Sequence, residues 1–207
     1  MTENARVYGG RAATERVAER RARLLAAGLE LMGTRGVAGT TVRGVAEQSG
    51  IAARYFYESF AGIEELQLAV FDQIATEAAE RSVAALGAAP DDVRARTRAV
   101  LAAMADLFLE DPRKGRIALV ESITSPVLGL RVLEESRRFA GMLAATRSSG
   151  DPSGPADVTA DEVLTARFLI GGVAHALSAA LQGDVRVERE HLVDVLVDLF
   201  LGANLRR

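Results

Sequence analysis

The sequence predicts an all-α fold of about nine helices, and three observations carry that expectation. Apolar residues recur at helical spacing along nearly every segment, and no stretch alternates as a strand would. Glycines, prolines and capping side chains interrupt the pattern at short intervals. The composition agrees, with 49% hydrophobic residues, only 5 Pro and no Trp in 207 residues, a balance that suits a folded chain rich in helix formers.

The first predicted helix spans about Ala12 to Arg35. Its apolar positions are Val17, Leu24, Leu25, Ala27, Leu29, Leu31 and Met32, and Gly36 stands where a left-handed cap is expected. A short second helix starts at Thr40 or Thr41, either able to accept a hydrogen bond from the free amides of the first turn, and stops at Ser49-Gly50. A third short helix covers Ala52 to Ser59, and a long fourth one Ile63 to Leu86. Gly87 to Asp92 reads as a linker whose acids begin the next helix. Asp111-Pro112 and Ser125-Pro126 each put a capping side chain before a proline suited to the first helical position. Ser148 to Ala156 reads as a surface loop, and Thr159 with Glu162 forms a capping box. Gly183-Asp184 closes that helix. The last one runs from about Glu188 to Leu205, with Leu192, Val195, Leu196, Leu199 and Phe200 on one side. No internal repeat is visible. The expected division is residues 1–62 and 63–207.

Several function classes drop out early. Without cysteine there is no disulfide, thiolate metal site or Cys nucleophile. Residues 1–10 lack the apolar core and cleavage pattern of a signal peptide. The longest near-apolar run, Phe168 to Leu181, is shorter than the ~20 residues of a membrane span. A cytoplasmic protein with no membrane partner is therefore expected. The net charge of −3 is unevenly spread. Seven arginines against four glutamates leave residues 1–35 at +3, and the remainder at −6. A basic head on an acidic body fits contact with phosphate at one end; a solvated arginine-rich helix face is the plainer reading.

The most informative stretch is Thr40 to Phe60, TTVRGVAEQSGIAARYFYESF. Two short helices meet there at a tight turn. Val42, Val45 and Ala46 form the inward face of the first, Gly50 permits a positive φ, and Ile51 plugs the gap between helices. The second helix would present its N-terminal residues to a major groove. The longer stretch RLLAAGLELMGTRGVAGTTVRGVAEQSGIAARYFYESF, with EEL shortly after it, resembles the DNA-binding signature of the TetR family of repressors over about residues 15–66. Beyond that region the likeness is one of helix number and length.

That resemblance implies a helix-turn-helix DNA-binding domain followed by a helical body that binds an effector and dimerises. It further implies a homodimer through the last two helices, a double-stranded operator as partner, and release by a small-molecule effector held in the body. No cofactor or metal is expected. The chain departs from the family pattern at Ala52, where a capping residue is usual, at Arg54 and Tyr55, where a small residue is common, at Ser59, where a phosphate-touching His is common, and at Ile63, where a phosphate-touching Lys is usual. The DNA-binding candidates are Thr41, Arg43, Arg54, Tyr55, Tyr57 and Ser59. Arg54 is placed to pair with guanine, Tyr55 to touch a thymine methyl or a phosphate, and Thr41, Arg43 and Tyr57 to reach phosphate. Phe56 and Phe60 are expected to pack.

In the body, Met104, Leu107, Phe108, Ile117, Val120, Phe139, Met142, Phe168 and Leu169 either line a cavity or form ordinary core. Glu121 and His175, polar in apolar stretches, either orient a ligand or are satisfied by a partner. The small residues Gly171, Gly172, Ala174, Ala176, Ser178 and Ala179 would let two helices approach closely at a dimer interface. The rival readings are a helical protein-interaction module without DNA binding and a small helical enzyme. Against the enzyme stand the two histidines without metal-ligand spacing, and the absence of a phosphate-cradling loop or nucleophile elbow.

Overall fold

A computed structural model describes residues 4–149 and 159–202, and every regular element among them is helical. The chain divides into two compact units, Met1–Asp72 and Gln73–Arg207. The division falls inside the long fourth helix, so residues 63–72 of that helix belong to the first unit.

The first unit contains α1 (Asn4–Arg35), α2 (Val42–Ser49), α3 (Ala53–Phe56) and the beginning of α4 (Ile63–Ala88). α1 starts earlier than the apolar pattern suggests. It ends at Gly36, which has φ 81° and donates its N–H to the Met32 carbonyl at 3.1 Å. Leu24, Met32, Val45, Phe56, Phe60 and Leu66 are fully buried or nearly so, and make the core of this small unit. Val17, expected among the apolar positions of α1, is exposed. From residue 14 onward, the buried positions of α1 begin at Leu24.

The second unit holds the rest of α4, then α5 (Val93–Glu110), α6 (Pro112–Gly115), a π-helical segment (Arg116–Glu121), α7 (Ser122–Thr124), α8 (Pro126–Ser149), α9 (Ala160–Gln182) and α10 (Arg189–Gly202). Because α6, the π segment and α7 run on without a break, the described residues form nine helical rods, as expected. The predicted caps are present. Asp92 accepts from the Ala95 N–H at 2.7 Å, and Ser125 Oγ from the Leu128 N–H at 3.2 Å. In the Thr159–Glu162 box, Thr159 Oγ1 accepts from the Glu162 N–H at 3.3 Å and Glu162 Oε2 from the Thr159 N–H at 2.9 Å. The loop expected over Ser148 to Ala156 lies, from residue 150 onward, outside the described residues.

The π segment was not anticipated. Residues three or four apart share a face of an α-helix, whereas the wider π turn bonds residues five apart. Arg116 and Glu121, five apart, meet here at 3.0 Å between Nη2 and Oε1. Close approach sets the position of the preceding turn. A Cβ at the buried Gly115 would lie 2.7 Å from the Phe108 carbonyl oxygen and 2.8 Å from Leu181 Cδ2.

α8 packs on α9, where Ala140, Ala144 and Ala166 form a buried cluster with Leu143 and Ile170 against it. α10 packs on α5, and Leu192, Val193, Leu196 and Val197 are its buried residues. Ion pairs line the same contact: Arg94 with Asp198 at 2.9 Å, Arg98 with Glu190 at 2.9 Å and with Asp194, and Arg189 with Asp106 at 2.8 Å. Exposed pairs of this kind contribute about 0–1 kcal/mol each, so burial of the four apolar side chains dominates the contact. The expected single stripe on the last helix is thus two: Leu192 and Leu196 are buried, whereas Val195 and Leu199 remain exposed. α9 spans 23 residues with a mean hydropathy of 1.5 over its most apolar window, of which only 22% is buried. It is longer than the near-apolar run suggested, and by length and composition alone it would pass for a membrane span.

Asp111 caps α6 through the Arg113 N–H at 3.2 Å and pairs with the Arg113 guanidinium at 2.8 Å. That guanidinium, ahead of the opposing effect of burial, holds the Asp111 carboxyl below its ordinary value. A lowered folded value means that the stabilisation is complete above the unfolded value of about 4 and disappears as pH falls through the folded one. Asp111→Ala is therefore expected to cost about 1 kcal/mol in urea unfolding at pH 7, with the gap to wild type closing below about pH 4. A gap independent of pH would assign the loss to packing and not to the charge.

Candidate nucleic-acid interface

The turn between α2 and α3 organises this surface. Thr41 caps α2, its Oγ1 accepting from the Gly44 N–H at 3.1 Å. Gly50 ends the helix with φ 67° and ψ 24°, a left-handed conformation that an L side chain adopts only at a cost. Ile51 then turns inward, nearly fully buried, and its N–H donates to the Ala46 carbonyl at 3.2 Å. From α1, Arg23 Nη2 donates to the Ser49 carbonyl at 2.6 Å and ties the turn to the first helix.

α3 is only four residues long, shorter than the expected Ala52 to Ser59. Ala52, its N-cap, makes no side-chain hydrogen bond, as the missing hydroxyl leads one to expect. Beyond Phe56 the chain continues in turns closed by the Ser59 and Phe60 amides, both donating to the Phe56 carbonyl at 2.9 Å. Phe56 and Phe60, both buried, lie 5.6 Å apart between ring centroids and anchor the segment.

The predicted DNA-binding residues gather around this motif. Thr41, Arg43, Arg54 and Tyr57 are exposed, with Tyr57 at 61%, while Tyr55 and Ser59 are half-buried. Tyr57 meets the edge of Phe56 at 5.5 Å. Arg43 pairs with Glu47 at 2.8 Å, which raises its guanidinium above the ordinary value. Arg54 donates from Nη2 to the Tyr55 hydroxyl at 3.0 Å, and its Cζ lies 4.6 Å from the Tyr55 ring centroid. Guanidinium, hydroxyl and backbone N–H groups at one surface can supply charge-assisted bonds to phosphate and bidentate bonds to a base edge.

Sequence reasoning missed two features of this unit. Arg20, Arg21 and Arg23, counted among the basic head, turn onto the motif: Arg20 pairs with Glu58 at 3.3 Å, Arg21 lies 4.6 Å over the Phe60 ring, and Arg23 holds Ser49. Buried Gln67 of α4 donates from Nε2 to the Val37 carbonyl at 3.0 Å, fixing the loop after α1. No composition or periodicity signals such contacts; they depend on which way a long side chain turns.

In the second unit the ligand-binding candidates scatter. Phe108 and Ile117 are buried, as are Leu107 and Leu169. Met104, Val120, Phe139 and Met142 are half-buried, and so is Glu121, which accepts from Arg116. Phe168, at 73% exposure, and His175 face outward from the chain and do not join an internal core. A surface depression of about 390 Å³ is lined by Ala180, Gly183, Val185, Arg186, Val187 and Glu188, and includes none of these candidates. Among the described residues no group of three or more His, Asp or Glu side chains could hold a metal ion. The adjacent acids Glu134 and Glu135 read as a surface pair in the sequence, but Glu135 is buried on α8 and paired with Arg131 and Arg138 at 3.2 and 2.8 Å.

Residues 24–70, the segment that builds this motif, match the bacterial regulatory proteins of the tetR family. Over these residues the chain carries a domain of the tetR family type. No curated protein matches it in sequence. Solved structures share the fold over nearly the whole length. The fatty acid degradation regulator FadR from Bacillus halodurans superposes with a TM-score of 0.75 at 17% identity, covering 91% of this chain and 97% of its own. FadR from Bacillus subtilis, solved in complex with stearoyl-CoA, gives 0.70 at 16% identity over 87% and 97%. The multidrug binding protein EbrR, complexed with imidazole, gives 0.64 at 22% identity over 87% and 94%. The matched domain is that of DNA-binding transcriptional regulators.

Replacing Gly50 tests the turn directly. Gly50→Ala is expected to destabilise the protein by about 1–2 kcal/mol, because Ala disfavours φ 67° and its Cβ would press to 3.2 Å from Arg23 Nη2. Gly50→Asn should lose less, since Asn tolerates the left-handed region. Equal losses in urea unfolding would show that the φ requirement is not what matters there.

Proposed function

We propose that the chain is a homodimeric repressor that holds a palindromic operator through its two α3 segments and is released by a small amphipathic effector bound in the second unit. The observation that carries the DNA-reading part is the turn at Gly50 and Ile51, which leaves Arg54 and Tyr57 exposed on a segment anchored by buried Phe56 and Phe60. In this reading Arg54 reads a guanine through O6 and N7, and Thr41, Arg43, Tyr55, Tyr57 and Ser59 contact phosphate or sugar. Arg43 and Arg54 exchange their present partners, Glu47 and Tyr55, for the duplex.

The dimer rests on an apolar face that the single chain leaves open. Leu164 and Phe168 on α9 are 66% and 73% exposed, and Leu199 on α10 is 65% exposed. Nothing lies within 4 Å of a Cβ added at Gly171 or Gly172, so a second copy could pack closely there. The same face accounts for the low burial of α9 and fits a cytoplasmic protein better than a membrane span. The structural neighbour solved with stearoyl-CoA supports an effector with apolar character, and Met104, Phe108, Ile117, Val120, Phe139 and Met142 are the apolar candidates for its lining, with Glu121 as the polar group. An effector that prefers one spacing of the two readers shifts the balance between bound and free operator.

Two outcomes are expected. Arg54→Ala should lose about 1–3 kcal/mol of operator binding and relax discrimination at one base pair per half-site, measured by competition among duplexes differing at single positions; unchanged discrimination would remove Arg54 as a reader. Phe168→Glu should convert the dimer to a folded monomer in analytical ultracentrifugation, since dimerisation would then bury an unpaired carboxylate in the apolar face. A dimer of unchanged affinity would place the interface elsewhere.

A further inference from the structure

We propose that Arg20 of α1 is a positioning residue for DNA reading, holding the four-residue α3 in place through Glu58 and the ring of Tyr55. The inference rests on the reading that α3 carries Arg54 to the bases. α3 has little to hold it by its own means: it is one turn long, and Ala52 provides no capping bond. Isolated helical turns are unfavourable because several residues are ordered for one hydrogen bond. The buried rings of Phe56 and Phe60 fix one side of the segment. Tyr55 is half-buried and Glu58 exposed, and Arg20 of α1 contacts both.

Arg20 reaches both residues. Its Nη2 lies 3.3 Å from Glu58 Oε2, and its Cζ lies 5.1 Å from the Tyr55 ring centroid, within cation–π range. The Arg20 side chain is 28% exposed and that of Glu58 54%, so the guanidinium is more enclosed than its partner. Tyr55 is also the residue on which Arg54 rests, through its hydroxyl and its ring. Arg20 therefore touches the platform of the proposed base reader while remaining, itself, engaged with the protein. Unlike Arg43 and Arg54, whose partners are close neighbours in sequence, Arg20 is tied to residues 35 and 38 positions away, so its contacts join α1 to α3 and the turn after it.

The two roles differ in sign at Glu58. If Arg20 serves phosphate, removing the Glu58 charge frees it and tightens binding to every duplex. If Arg20 positions α3, Glu58→Gln loosens the segment and lowers discrimination, as Arg20→Ala does. The test takes full-length wild type, Arg20→Ala, Arg20→Lys and Glu58→Gln, each checked by thermal melting. Hydrogen exchange of residues 52–60 is measured alongside affinity for the duplex that wild type selects from a randomised pool and for a mixed-sequence duplex of equal length. Arg20→Ala and Glu58→Gln are expected to raise exchange at Tyr55, Ser59 and Phe60 about fivefold, as an exposed ion pair with a cation–π contact supports. They should narrow the operator-to-mixed ratio by about the same factor and leave the salt slope unchanged, with Arg20→Lys intermediate. Unchanged exchange, exchange raised throughout the first unit, or a salt slope reduced by about one with tighter binding by Glu58→Gln, would each overturn the proposal. If wild type selects no duplex, the DNA reading itself fails, and the exchange of residues 52–60 still decides whether Arg20 holds α3.

Discussion

The bond from the Arg23 guanidinium to the carbonyl of Ser49 sits at the point on which the rest of the first unit depends. The last carbonyls of a helix have no partner within it, and α2 ends where the chain must reverse. Gly50 and Ile51 turn their amides back onto α2, and Arg23 takes the Ser49 oxygen from the other side. With the turn held, Ile51 and Phe56 fall into the core beside Val45 and Leu24. Arg54 and Tyr57 are then left exposed on a short segment that Phe56 and Phe60 anchor. The exposed surface follows from the packing beneath it.

The second unit is organised by two kinds of contact. Small side chains let α8 and α9 approach through Ala140, Ala144 and Ala166, and larger ones seal α10 against α5. Ion pairs decorate the latter seam and set its register more than its strength. The π segment at Arg116–Glu121 lies just after the close contact at Gly115, and its extra residue per turn brings Arg116 and Glu121 together. Such segments occur often where function needs an irregular wall, and this one carries Ile117, Val120 and Glu121, three of the residues considered for an effector.

Much of this was legible in the sequence, for identifiable reasons. Caps are local chemistry, so Ser125 and the Thr159–Glu162 box could be placed from residue type and spacing alone, whereas Thr40 and Thr41 were equal candidates until the fold assigned the cap to Thr41. The helix-turn-helix was legible because two short helical patterns flank Gly50, which supplies the positive φ of the turn. Direction was not legible. Arg20, Arg21 and Arg23 are three charges in a run of helix, and whether they face solvent or the motif is decided by tertiary contacts tens of residues away. The same holds for Phe168 and His175, whose apolar neighbourhood in sequence suggested an interior that the single chain does not give them. Leu192 and Val195, three residues apart on α10, were grouped as one stripe although one is buried and the other exposed. The π segment escaped because nothing in RIALVE distinguishes it from an α-helix until Gly115 is pressed against Phe108.

The measurement that tests the account most directly is a salt titration of the purified protein binding a palindromic duplex from its own upstream region, with stoichiometry read at saturation. The account predicts two chains per duplex and an affinity that falls linearly with the logarithm of salt concentration, with a slope reflecting several phosphate contacts per chain. It also predicts that the palindrome outcompetes a scrambled duplex by about a thousandfold or more at moderate salt. Equal binding to both duplexes, or a single chain bound per palindrome, would contradict it.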